Sequence, residues 1–196
     1  MKNNRNLILL GAIVLVAAAF LLLDFRLAAS RTTTEKLVMT TDMGENMPAS
    51  MRQKEKISLV MVGEGSLVGA LQKALIQEIE QAGLGEIWLE QELQSRYQNP
   101  VLIVKVGEPG PAWTPFFAMG GFSVHAGYDS SGDTTFMQAV EETHTIVGKP
   151  DAANMYAEYD VKDTSLGLIS RPGYQRYLAE LLAREIVTVL KGMYKV

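Results

Sequence analysis

Residues 63–69 read Gly-Glu-Gly-Ser-Leu-Val-Gly, three glycines around a serine where an apolar run gives way to a helical pattern. A glycine-rich turn of this kind can hold phosphate, because the chain can approach closely and the N–H groups of the following helix carry partial positive charge. The spacing is one residue off the dinucleotide fingerprint, whose third glycine falls at 68, where this chain has Val. Glu90 has the type and approximate distance of an acidic ribose ligand. Against this reading, Glu64 sits where a pyrophosphate would lie, no basic residue is nearby, and the lysine of a P-loop is missing. Gly63, Gly65 and Ser66 are the candidate anion-binding residues. The competing reading is a plain helix start, with Ser66 as N-cap and the glycines permitting close strand-to-helix packing.

Metal and acid–base chemistry find less to work with. His125 and His144 are the only histidines. If Ser130-Ser131-Gly132 closes a hairpin, His125 lies opposite Met137, and His144 stands on the other face roughly 23 Å along the strand. They then share no metal. Asp129 and Asp133 face each other across that loop, but two carboxylates are few for Ca²⁺ and the calcium-loop spacing is missing. Glu141-Glu142 reads as a solvated strand end. Asp160 and Asp163 precede Ser165 and Ser170 without a histidine base in reach, so no catalytic residue is assigned and no metal or cofactor is expected. The chain has no cysteine, which removes thiol nucleophiles, disulfides and every Cys-based metal site.

Trp113 offers recognition instead. It stands between Pro111 and Pro115, with Phe116 following. An indole on so restricted a loop is either a lid over the core or a rigid aromatic anchor for a partner. Gly120, Gly121 and Gly127 in the next segment leave room for another chain to approach. Trp113, Pro111, Pro115 and Phe116 are the candidate partner-binding residues.

The elements that would carry these residues follow from apolar periodicity. Residues 7–23 are an apolar run of 17 residues without a charge, flanked by Lys2 and Arg5 and by Asp24 and Arg26. The run predicts a single transmembrane anchor over 7–25, with a short cytoplasmic tail at 1–6. Ala28-Ala29-Ser30 supports the competing reading of a cleaved signal peptide. Residues 26–56 lack a sustained apolar period and read as a tether. Residues 57–196 form the domain, placed on the extracytoplasmic side of the membrane. Within it, 10 Lys plus Arg against 17 Asp plus Glu leave a formal charge of −7, which argues against nucleic acid as a partner.

ISLVMV at 57–62 and VLIVKV at 101–106 read as buried strands. Leu67, Leu71, Leu75 and Ile79 recur every four residues and predict a helix ending at Gly83. Residues 86–97 fit a strand or a short helix. A hairpin is expected over 116–147, its core face carrying Phe122, Val124, Ala126, Phe136 and Val140. A strand follows over 155–161, and a final helix begins after Arg171-Pro172-Gly173. The expected fold class is therefore α+β: a mixed β-sheet with a parallel β-α-β start, then an antiparallel hairpin and strand, with helices on one face and an N-terminal transmembrane helix. The expected function is a membrane-anchored, non-catalytic domain for protein binding, assembly or sensing. The alternative is an envelope hydrolase or ligand-binding enzyme using the turn at 63–66.

Overall fold

A computed structural model describes residues 2–41, 55–107, 112–148 and 152–194. The order of elements is α1 (Lys2–Leu22), β1 (Arg26–Thr40), β2 (Glu55–Val62), α2 (Ser66–Ala82), β3 (Gly85–Glu90), β4 (Val101–Val106), β5 (Ala112–Trp113), β6 (Phe117–Asp129), α3 (Thr135–Thr143), β7 (Asn154–Ile169) and α4 (Arg171–Tyr194). The strands form one seven-stranded sheet in the order β1-β7-β6-β4-β2-β3, with β5 paired to β6. Strand β2 runs parallel to β3 and β4, and the other pairs are antiparallel.

Strand alternation divides the sheet into two faces. Even positions of β6 (Phe122, Val124, Ala126, Tyr128) and odd positions of β7 (Met155, Ala157, Tyr159, Val161) enter the larger core. Helices α2 and α4 close that core, through Leu71, Leu75 and Ile79 from one and Leu178, Leu182, Ile186 and Leu190 from the other. Helix α2 ends where Gly83 takes a left-handed conformation and donates its N–H to Glu80 O at 3.0 Å. Its N-cap is Gly65, so Ser66 opens the first turn instead of capping it.

The second face carries helix α3, whose Phe136, Met137 and Val140 pack on Val60, Val101, Ile103 and Tyr156. This corrects two expectations. Residues 135–143 are a helix and not the second arm of a hairpin, and the helices lie on both faces of the sheet. The spacing of four between Phe136 and Val140 suits one helix face as well as one strand face, and a partner surface exists only for the helix. Gly127 makes room for it: a Cβ there would stand 2.9 Å from Met137 Sδ and 3.0 Å from Phe136 Cζ. Residues 85–90 form edge strand β3, whereas 91–97, expected to continue the same strand or helix, are irregular apart from a single bridge from Arg96 to Asp133.

The N-terminal segment is also corrected. Among the described residues no helix is long and apolar enough to cross a membrane. This overturns the transmembrane helix expected over 7–25, together with the signal anchor, the membrane partner and the single-pass extracytoplasmic localisation that rested on it. The reason lies where α1 stops. Leu23 N–H closes the last turn on Ala19 O at 2.9 Å, Asp24 pairs with Arg176 of α4 at 2.8 Å, and Phe25 N–H is held by Ser170 Oγ at 2.9 Å. Residues needed to complete a span are thus fixed to the domain. The apolar stretch left inside the helix is about 24 Å long, against a hydrocarbon core of about 30 Å. Beyond it, residues 26–40 of the expected tether form β1, paired with β7 along its whole length from Arg26↔Ile169 to Thr40↔Met155.

Leu75 is fully buried between the sheet and α4. Leu75→Ala should lower the unfolding free energy of the chain by about 3 kcal/mol, checked by chemical denaturation followed by far-UV circular dichroism.

Candidate interaction surface

Beneath β1 and β7 the core turns polar. Asp163 is 2% exposed on the core face of β7. Its carboxylate accepts from Thr32 Oγ1 at 2.5 Å, Ser165 Oγ at 2.9 Å and Tyr174 OH at 2.8 Å, which joins β1, β7 and α4 at one point. Thr32 also meets Tyr177 OH at 2.7 Å. Ser30 bonds Ser165 and accepts from the Arg26 guanidinium, which stacks on the Tyr177 ring at 3.7 Å. Burial, with the Asp163 hydrogen bond and charge adding to it, pushes the Tyr174 hydroxyl well above its ordinary range. This network fastens β1 to the domain.

The opposite face of the same strands is open, and one end of it is apolar. Register places Leu27 beside Leu168, and Leu166 between Ala29 and Phe117. Leu27, Leu166 and Met119 are 73%, 62% and 52% exposed, and Leu168 and Phe117 are exposed beside them. Just before β6, Phe116 is 66% exposed, and its ring lies 6.3 Å from that of Phe20 in α1. Further along the face the patch gives way to Arg31, Thr164, Lys162, Glu35 and Asp160.

In the proline-flanked loop Phe116 is exposed beside Phe20, whereas Trp113 turns inward: the half-buried indole packs on the core and donates Nε1–H to Ile169 O at 3.0 Å. Pro115 O accepts Ile169 N–H at 2.9 Å, which ties the loop to the end of β7. Pro111 lies outside the described residues.

The glycine turn at 63–66 belongs to packing. Gly63 has φ +130°, and a Cβ there would stand 3.0 Å from Val106 O, so close approach of β4 excludes a side chain. Ser66 Oγ accepts from Gln175 Nε2 at 2.5 Å. A groove beside it is lined by Asp24, Lys73, Arg176 and Glu180 among others, and Arg176 is already paired with Asp24 and Glu180. The charge of Arg176 is thereby offset, and Lys73 is the other cation in the groove.

Elsewhere the titratable groups serve the fold. Asp129 is fully buried, accepting at Oδ1 from Ser131 N–H and Oγ and at Oδ2 from Asn154 Nδ2, so it organises its turn. Asp133 instead opens α3, accepting from Thr135 N–H. His144 ends α3 in a left-handed conformation. Among the described residues no group of three His, Asp or Glu is placed to hold a metal. His125 Nδ1 meets Tyr156 OH at 2.7 Å beneath α3, while Lys105 pairs with Glu141 of α3 at 2.7 Å.

Leu27, Phe117, Met119, Leu166 and Leu168 were not among the candidates drawn from the sequence. Parity was the available signal: Phe117 and Met119 are odd where the buried β6 residues are even, and Leu166 and Leu168 are even where those of β7 are odd.

No family model matches the chain, and no curated protein matches it in sequence. Among solved structures it is similar to two PelC dodecamers from Paraburkholderia phytofirmans, at 14% and 12% identity and a TM-score of 0.36 in each case, over 78% of this chain and 95% of the PelC chain. A likeness of that extent carries no functional argument.

Two outcomes follow from this geometry. Trp113→Ala should cost about 3 kcal/mol of stability in a denaturant titration, since it removes packing and leaves Ile169 O without its donor. Burial first, then Glu158 and Glu141, pushes the Tyr156 hydroxyl up to about 12 from an ordinary 10.0. The folded state therefore keeps a proton that the unfolded chain releases, and stability should fall as pH rises from 10.0 through about 12. Denaturant midpoints across that range check this, and Tyr156→Phe should flatten the slope.

Proposed function

We propose that the chain is a non-catalytic protein-binding domain serving in assembly, and that it docks its partner on the apolar end of the open sheet face. The supporting observation is the contiguous row Leu27, Leu168, Leu166 and Phe117 across three adjacent strands, extended by Met119. Isolated exposed hydrophobic residues are ordinary, whereas a patch continuous over several strands and rimmed by charge has the composition of a contact surface. Its partner presents an apolar helix or sheet face. The mixed charges of Arg31, Lys162, Glu35 and Asp160 beside the patch would set orientation more than affinity. The enzymatic alternative at Gly63–Ser66 has no comparable support, because the serine hydroxyl is engaged and Arg176, one of the two cations lining the groove, is paired with Asp24 and Glu180.

A photo-crosslinking residue at Met119 of the full chain, in extracts of the native cell, tests this reading. It should give one protein adduct that an equivalent probe at Lys162 does not give. Leu166→Asp should weaken formation of that adduct by roughly thirtyfold, about 2 kcal/mol, with the melting temperature nearly unchanged. Identical adducts from both positions, adducts to lipid only, or insensitivity to Leu166→Asp would overturn it.

A further inference from the structure

Strand β1 is one edge of the sheet, paired only with β7 among the described residues. The direction of its backbone groups is fixed at both ends. Phe25 O accepts Ser170 N–H at 3.0 Å, and Thr41 N–H donates to Asn154 O at 2.9 Å. Between these points the register with β7 runs without a break. Antiparallel strands alternate between residues that bond to the neighbour and residues that point away from it. Odd-numbered residues therefore bond to β7, and the even-numbered residues from Arg26 to Thr40 direct their N–H and C=O groups outward. Such a row is a template for another strand.

Natural sheets often blunt an edge with charge of one sign. Here Arg31 and Glu35 carry opposite signs on the same face, two positions either side of Thr33. We infer that β1 pairs antiparallel with β1 of a second copy of this chain, about a two-fold axis at Thr33. In that register each Arg31 lies opposite Glu35 of the other copy, twice by symmetry, and Thr32 lies opposite Thr34. Ala29 meets Leu37, and Leu27 meets Met39, so apolar residues oppose apolar ones on the open face. Sliding the register by two leaves Arg31 and Glu35 opposite uncharged residues, and sliding it further to centre on either residue sets like charges together. Odd slides place the two open faces on opposite sides. The hydrogen-bonding phase agrees: outward even residues fall opposite even residues, and Thr33 meets its symmetry mate at a non-hydrogen-bonded position. Among the described residues no ion pair reaches Arg31, and Glu35 stands 4.0 Å from Lys162, with both side chains largely exposed. Two seven-stranded sheets would thus join into one. This contact uses the strand edge and meets the apolar patch only at Leu27, so a change at Leu166 can abolish docking at the patch and leave the strand pairing in place.

The absence of cysteine allows a direct test on the full chain. Thr33→Cys should form a disulfide-linked dimer on mild oxidation, because non-hydrogen-bonded partners bring Cα atoms to about 4.5 Å, within disulfide reach. Ala29→Cys and Leu37→Cys, each alone, should form little, and the two mixed should cross-link to one another. Arg31→Glu should weaken dimerisation in analytical ultracentrifugation by at least about tenfold, and Arg31→Glu with Glu35→Arg should restore it. Leu166→Asp should leave the Thr33→Cys disulfide intact, which separates this contact from docking at the patch. Equal cross-linking by Ala29→Cys, Thr33→Cys and Leu37→Cys alone, no disulfide from Thr33→Cys, or loss of dimerisation that the charge exchange does not restore would overturn the inference.

Discussion

Asp163 is the point on which the architecture turns. A carboxylate taken out of water is costly unless donors replace its hydration, and here three hydroxyls do so. One comes from β1, one from β7 and one from α4, so the three elements are positioned together. Around this contact, Ser30, Arg26 and Tyr177 extend the polar packing along β1. Removing the carboxylate would leave several buried hydroxyls competing for partners, and β1, which has no fully buried residue of its own, would lose support.

The alternation of β7 converts that constraint into a surface. Because Asp163 and Ser165 point into the core with Met155, Ala157, Tyr159 and Val161, the neighbouring even residues must point out. At one end these are Leu166 and Leu168, which find Leu27 and Phe117 in register. At the other, Tyr156 is covered by α3 and Glu158 stands near it. One face of a single strand is thus roofed by a helix over part of its length and open over the rest. The open part is apolar where the chain leaves α1 and charged where it approaches α3. A surface graded in this way suits docking better than catalysis, in which charged groups converge on a reacting atom.

Elements held by apolar periodicity were legible in the sequence. The period of four in Leu67, Leu71, Leu75 and Ile79 marks α2, the buried run Val101–Val106 marks β4, and Tyr174, Leu178, Leu182 and Ile186 mark α4. Strand β1 was hidden because its inward residues Ser30 and Thr32 face hydroxyls and a carboxylate and Thr34 follows them on the same face; its alternation is not one of hydropathy. Helix α3 was hidden because Phe136 and Val140 fit either period over so few residues. The end of α1 was set by Asp24 and Phe25 finding partners more than a hundred residues away, which no local pattern reports. In the proline-flanked loop, Trp113 could be read two ways until its indole N–H was placed on Ile169 O.

Both the open sheet face and the free edge require that β1 be welded to the domain on one side only. Residue-resolved amide hydrogen exchange over 26–40 tests it directly. An alternation is expected in dilute solution: odd-numbered amides, which donate to β7, exchange slowly, while even-numbered amides exchange quickly and gain protection as concentration rises. Fast, uniform exchange along the whole segment at every concentration would mark a loose tether and contradict it.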